Sequence, residues 1–139
     1  MTIDSKNINL YDTLFSGQCF RMALESDGSY TIILKDRVVN IKEDNDKLVL
    51  DSNIMNDLDL VVKKYLDLER DYDSINRIIT EKCKPLKDNI DSCNGYKILN
   101  QDKFEMYITY IISQNNNVKR IMGSVDKLSR LYGKCVKFR

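Results

Sequence analysis

Three features of the sequence predict an α+β fold. Between residues 19 and 51 apolar side chains alternate with polar ones at period two, the pattern of strands with one buried face. From residue 58 onward they recur at helical spacing instead. The charge also changes sign along the chain. Residues 1–100 hold 14 Lys/Arg against 18 Asp/Glu, net −4, whereas residues 101–139 hold 8 against 3, net +5. An antiparallel sheet with helices to cover it, followed by a basic helical segment, accounts for all three.

Taken in order, Asn7–Ser16 reads as a short strand and a turn into Gly17. From Cys19 the side chains of Phe20, Met22 and Leu24 share one face, with Cys19, Arg21 and Ala23 on the other. Glu25–Ser29 is a hairpin turn in which Asp27-Gly28 supplies the positive φ. Tyr30, Ile32 and Leu34 alternate with Thr31, Ile33 and Lys35 in the next strand, Arg37–Lys42 is a third run and Lys47–Asp51 a fourth, with Glu43–Asp46 as the turn between the last two. Four or five short strands with local connections make one sheet. Leu58, Val61, Val62, Tyr65 and Leu66 then define a helix with Asn56 or Asp57 as N-cap. Tyr72, Ile75, Ile78, Ile79 and Cys83 define a second behind Asp71 or Asp73. These two helices are expected to cover one face of the sheet, and residues 1–90 to form the first domain.

Residues 84–100 carry the only proline, Pro85, and read as an irregular linker. Residues 91–139 hold the linker and two more helices. Phe104, Tyr107, Ile108 and Ile111 mark an apolar face of one; Val118, Ile121, Met122, Val125, Leu128 and Tyr132 mark that of the other, with Gly133 as its C-cap. Tyr107, Tyr110 and Tyr132 read as core. Two helices cannot close a bundle, so the segment from 101 reads as the opening of a larger helical domain and the tail Lys134–Arg139 as cut off partway.

At 139 residues, with 42% hydrophobic and 31% charged, the chain is long enough for one soluble globular domain or a small domain plus part of another. No apolar run approaches the roughly 20 residues of a membrane span, and no basic-then-apolar leader is visible, so a cytoplasmic protein is expected. The four cysteines form no CxxC pair and histidine is absent, which argues against structural zinc and excludes histidine-based nucleophilic triads. The carboxylate clusters at 57–59 and 67–73 read as helix caps and solvated ends.

Two stretches carry candidate chemistry. The polar bend Ser113-Gln114-Asn115-Asn116-Asn117-Val118-Lys119-Arg120 lies between two apolar helices. Asparagine tolerates left-handed backbone and caps helices, so the bend could be a plain connection. Equally, amides can pair with base edges, and Lys119 and Arg120 at a helix N-terminus can meet phosphate or base. In Ser16-Gly17-Gln18, Gly17 serves either a simple turn or a close approach of a ligand to backbone. It belongs to no phosphate loop, since no GxxxxGK[ST] or GxGxxG occurs.

Both stretches resemble one family. Leu14-Phe15-Ser16-Gly17-Gln18-Cys19-Phe20-Arg21-Met22 is similar to the small-Gly-Gln-x-Phe-Arg-Trp run that opens the sheet domain of 8-oxoguanine DNA glycosylases. Gly95 to Asp102, continuing through Ile111 to Ile121 with Ser113-Gln114-Asn115-Asn116-Asn117, is similar to the start of that family's helical domain. The resemblance spans nearly the whole chain and is strongest at 14–22 and 95–133. It implies a twisted antiparallel sheet like half of a TATA-binding-protein fold, then the first helices of a helix-hairpin-helix glycosylase domain, truncated here. It implies enzymes of base excision repair that flip oxidised guanine from the duplex, cleave its glycosidic bond and nick the strand through a Schiff base.

Carried over residue by residue, the resemblance gives the Gly17 carbonyl a hydrogen bond from the ring N–H that oxidised guanine has and guanine lacks. Asn115 fills the gap left by the flipped base, and Arg120 reads the orphaned cytosine. Gln114 and Lys119 are further DNA contacts, while Asn116 and Asn117 tie the bend together. The implied partner is double-stranded DNA with 8-oxoguanine opposite cytosine, without cofactor, metal or membrane, and a bacterial location at the nucleoid. Met22 stands where the family has tryptophan and Lys103 where it has proline. The family's nucleophilic lysine and catalytic aspartate lie downstream of Arg139. This chain alone is therefore expected to be inactive, and its uncovered apolar faces to self-associate or remain disordered. The other reading is a non-enzymatic module of the same fold that binds DNA or a protein through its basic helices.

Overall fold

In the computed structural model, residues 1–5 and 7–138 are described. The strands are β1 (Thr2–Asp4), β2 (Met22–Leu24), β3 (Tyr30–Leu34), β4 (Arg37–Asp44) and β5 (Lys47–Ser52). They form a single antiparallel sheet in the order β1-β5-β4-β3-β2. Strands β2 to β5 are thus a meander, and β1 returns to the far edge beside β5. Directly paired residues share a face, so the registers build apolar rows across the sheet. One row runs Leu24–Tyr30–Ile41–Leu50, and the next Met22–Ile32–Val39–Ser52. Ile3 of β1 pairs with Leu48 to extend the same face. The Asp27-Gly28 turn forms as expected, with Gly28 at φ +78° and Glu25 N–H bonded to the Ser29 carbonyl at 2.8 Å. The β4–β5 turn is tighter than read: Glu43 and Asp44 belong to β4, and Asn45 takes the left-handed position at φ +55°.

The stretch expected as an N-terminal strand is a helix, α1 (Leu10–Phe15). Asn9 caps it by accepting from Asp12 N–H at 2.9 Å, and Glu43 of β4 accepts the Leu10 N–H at 2.9 Å. A six-residue helix has little stability of its own. It is held by Leu10 and Leu14, both fully buried against the sheet and each worth about 1.5–3 kcal/mol in burial. The second cover is α2 (Leu58–Tyr65), through Leu58, Val62 and the following Leu66, all fully buried. Asp57 precedes α2 but does not cap it with its side chain. That carboxylate instead takes Arg37 Nη1 at 2.8 Å, while Asp36 grips the same buried guanidinium in a fork at 2.9 and 3.0 Å.

The next helix, α3 (Tyr72–Lys82), forms behind its Asp71 cap as predicted but has no buried residue. Ile75, Ile78 and Ile79 each stay more than a third exposed and none joins the core, so α1 and not α3 is the partner of α2 over the sheet. Nor is the stretch after it irregular: a 3₁₀ turn at Lys84–Leu86 leads into α4 (Lys87–Ser92). Beyond α4 the chain runs extended and is stitched to the sheet domain. Gly95 carbonyl accepts from Asn9 N–H at 2.8 Å, Lys97 N–H donates to Thr13 Oγ1 at 3.2 Å, and Asn100 N–H to the Tyr65 carbonyl at 2.8 Å. At Gly95 a Cβ would lie 2.9 Å from Asn9 N, which explains the glycine.

Two helices follow, α5 (Lys103–Ser113) and α6 (Val118–Tyr132). Asp102 caps α5 through Phe104 and Glu105 N–H at 3.0 and 3.1 Å. Its inner face is turned from the predicted one: Thr109 is buried and Glu105, Ile108 and Ile112 half-buried, whereas Phe104, Tyr107 and Ile111 point outward. Tyr107, Tyr110 and Tyr132 are likewise exposed, contrary to the core role expected of them. The helix is apolar nearly all round, so periodicity could not select its inner face. In α6, Ile121 and Val125 are buried as predicted. Gly133 ends α6 in extended backbone, and a Cβ there would meet the Ser129 carbonyl oxygen at 2.4 Å. Residues 134–138 take no regular structure; Arg139 lies outside the described residues. No helix among the described residues is long and apolar enough to cross a membrane.

Candidate nucleic-acid interface

The turn 16–18 and the bend 113–120, a hundred residues apart in sequence, meet in the fold. Gly17 has φ +85°, and a Cβ built on it would come within 3.9 Å of Val118 Cγ2, the first residue of α6. The turn is held from several sides. Ser16 Oγ donates to the Thr13 carbonyl at 3.1 Å, and Gln18 Nε2 reaches the Lys97 carbonyl at 2.9 Å. Cys19 behind it is buried, its thiol 3.4 Å from the Leu14 carbonyl. Burial pushes that thiol up to about 11, so it is a packed neutral group at any ordinary pH.

The turn is also tied to α5. Arg21 Nη1 bonds Glu105 Oε2 at 3.2 Å. Burial raises the Glu105 carboxyl above its ordinary range, and Arg21 counters part of that rise. A groove of about 470 Å³ lies here, lined among others by Arg21, Phe104, Glu105, Ile108, Val125 and Leu128.

The bend divides its amides by task. Asn116 Nδ2 donates to the Ile112 carbonyl at 3.0 Å and its Oδ1 accepts the Asn117 N–H at 3.0 Å. Asn117 caps α6 by accepting from Arg120 N–H at 3.0 Å. Gln114 folds its amide back on the Tyr110 carbonyl at 3.3 Å. Asn115 differs from all of these. It stands in left-handed backbone at φ +49°, exposed, and among the described residues its side chain makes no hydrogen bond. Lys119 and Arg120 are exposed in the first turn of α6, where no acidic residue balances them. Cations at the positive end of a helix dipole are unfavourable unless an anion is present.

Gly17 therefore lies beside Val118 at the start of α6, the turn that also carries Lys119 and Arg120, and Asn115 stands at the tip of the bend leading into α6. Sequence reasoning passed over Gln101, Arg21 and Glu105, which fix the turn against α5. The Gln101-Asp102 pair was the available signal, since Asp102 alone accounts for the helix cap. Among the described residues no group of three or more His, Cys, Asp or Glu side chains is disposed to hold a metal ion.

Residues 1–107 match the family model described as 8-oxoguanine DNA glycosylase, N-terminal domain. Among solved structures, MBOgg1 in complex with a low-affinity DNA ligand is similar at 36% identity and a TM-score of 0.91, over 99% of this chain and 48% of that one. The Clostridium acetobutylicum 8-oxoguanine glycosylase/lyase, bound to double-stranded DNA containing cytosine opposite 8-oxoG, is similar at 28% identity and a TM-score of 0.88, over 100% of this chain and 51% of that one. Its apo-form gives 28% identity and a TM-score of 0.86, over 100% and 52%. The chain thus spans about half the length of these relatives. On the family model, and on this likeness in sequence and fold, the chain belongs to the 8-oxoguanine DNA glycosylases, whose N-terminal domain it contains.

Proposed function

We propose that this chain forms the first half of a base-excision-repair enzyme that removes 8-oxoguanine from DNA opposite cytosine and nicks the abasic strand. The observation that supports the reading is the nearness of Gly17 to Val118, which sets the two family-like stretches beside each other at the start of α6. In this reading the Gly17 carbonyl accepts the ring N–H peculiar to oxidised guanine. A hydrogen bond nets about 0.5–1.5 kcal/mol, and the penalty for an unpaired buried group widens the discrimination. Asn115 enters the gap left by the flipped base, and Arg120 donates to the acceptors of the orphaned cytosine. These contacts offset part of the few kcal/mol that flipping costs. Lys119 and Gln114 meet the backbone beside them.

The Schiff-base lysine and its aspartate partner belong to the other half of such an enzyme, so the 139-residue chain alone binds without cleaving. Strand nicking by the isolated chain would overturn that division. The test of recognition is titration of the full-length protein with duplexes carrying 8-oxoguanine opposite cytosine or adenine. Arg120→Ala should abolish the preference for cytosine; a preference left intact removes Arg120 from the role. Equal affinity of the wild type for guanine and oxidised guanine removes Gly17 from its own.

A further inference from the structure

Glycine has little conformational preference of its own, so the direction of the Gly17 carbonyl has to be imposed by its neighbours. Among the described residues that carbonyl accepts no hydrogen bond, whereas the residues on both sides of it are pinned. Ser16 is held by the Thr13 carbonyl at 3.1 Å and by Tyr96 Oη at 3.3 Å. Gln18 is held far more firmly. Its Nε2 donates toward the carbonyls of Lys97 at 2.9 Å and Thr13 at 3.3 Å and toward Ser16 Oγ at 3.3 Å. Its Oε1 accepts the Leu99 N–H at 3.0 Å, and its own carbonyl takes Gln101 Nε2 at 2.6 Å. A flipped amide would face two carbonyls with oxygen, so only one orientation satisfies the site.

We propose that Gln18 is a positioning residue that aims the Gly17 carbonyl, and that Gln101 fixes the aimed turn to α5. This rests on the reading of Gly17 as the group that senses oxidised guanine. Gln101 directly precedes Asp102, the cap of α5, and Arg21–Glu105 ties the same turn to the same helical turn. The sensing carbonyl, α5 and the bend and helix that follow it with Asn115 and Arg120 are thereby held as one unit, and the spacing between the damaged base and the cytosine contacts is set by these two glutamines.

The experiment measures the ratio of dissociation constants for 8-oxoguanine:cytosine and guanine:cytosine duplexes in the full-length protein, together with urea midpoints. Gln18→Glu keeps the shape but sets a carboxylate against two carbonyls; Gln101→Ala removes one bond. Asn100→Ala is the control, since it loses bonds to the Lys64 carbonyl and Asp67 next door without touching the turn. Gln18→Met loses the Nε2 and Oε1 hydrogen bonds without adding a charge, and the ratio should fall in it too. The ratio should fall at least tenfold in Gln18→Glu and about three- to tenfold in Gln101→Ala. In Asn100→Ala it should stay at the wild-type value even where stability drops equally. A wild-type ratio kept in both glutamine variants overturns the inference, and one kept in Gln101→Ala alone removes Gln101 from it. A wild-type ratio of one overturns the reading of Gly17 and this inference together. Should Gln18→Glu fail to fold, the uncharged Gln18→Met takes its place.

Discussion

Asp67 shows how a single residue can join segments that the sequence keeps apart. It follows α2 in left-handed backbone at φ +52°, and its carboxylate accepts from Arg70 Nε, from Tyr72 Oη at 2.8 Å and from Asn100 Nδ2 at 3.2 Å. Burial opposes its ionisation, but these three donors outweigh burial and hold it below the ordinary carboxylate range. The unfolded chain therefore binds the proton more readily, and the stability that Asp67 contributes is complete above the ordinary carboxylate value near 3.8. It is lost as pH falls through the lower folded value. Urea midpoints measured between pH 5 and pH 3 should drop steeply in the wild type. Asp67→Asn should be less stable at pH 5 and lose less on acidification, the remaining slope coming from Asp27, Asp36 and Asp71, which are also lowered. An unchanged slope in the variant would mean that the carboxylate is not ionised against these donors. Nothing in the sequence pointed to this role, because Asp67 stands in a run of acids that reads equally well as a solvated helix end.

At the scale of elements, the amide bend sets a helix cap, Asn117, two positions from the residue proposed to meet DNA, Asn115. Asn117 caps α6, so Asn117→Ala should destabilise by about 1 kcal/mol, within the usual span for a lost N-cap. Asn115→Gly keeps the left-handed backbone while removing a side chain without hydrogen bonds. It should leave the thermal midpoint unchanged, yet weaken binding to duplexes with 8-oxoguanine opposite cytosine. A midpoint that falls in Asn115→Gly would place the residue in the fold instead. The structural part played by Asn117 was legible, since a cap must sit directly before its helix. Helix α1 was not: Leu10 and Leu14 are four apart, a spacing that shares a face in both a strand and a helix, and only the Asn9–Asp12 cap distinguishes the two. Strand β1 has one buried apolar residue, Ile3, and three residues give periodicity nothing to work on. The stretch 95–102 escaped for another reason. It docks through backbone bonds to Thr13, Gln18 and Tyr65, partners too distant in sequence to leave a local pattern.

For the molecule as a whole, the sheet domain is closed and the helical pair is not. Among the described residues, the buried apolar core runs from Ile3 to Leu66 and takes Leu99 from the chain beyond α3. On α5 and α6, by contrast, Phe104, Tyr107, Tyr110, Leu131 and Tyr132 are between 63% and 82% exposed, more apolar side chain than two short helices ordinarily leave in water. In relatives about twice as long, further chain is available to cover such a surface. In the isolated 139-residue chain a second copy is the nearest apolar partner. Its sedimentation coefficient should therefore rise with concentration, and Tyr107→Lys combined with Leu131→Lys should restore a monomer without changing the thermal midpoint. Because both substitutions add positive charge to a segment already at +5, the DNA binding proposed for this chain should strengthen at low salt and fall steeply with added salt. A chain that stays monomeric at every concentration would show that α5 and α6 cover each other more completely in solution than their exposed aromatic residues imply.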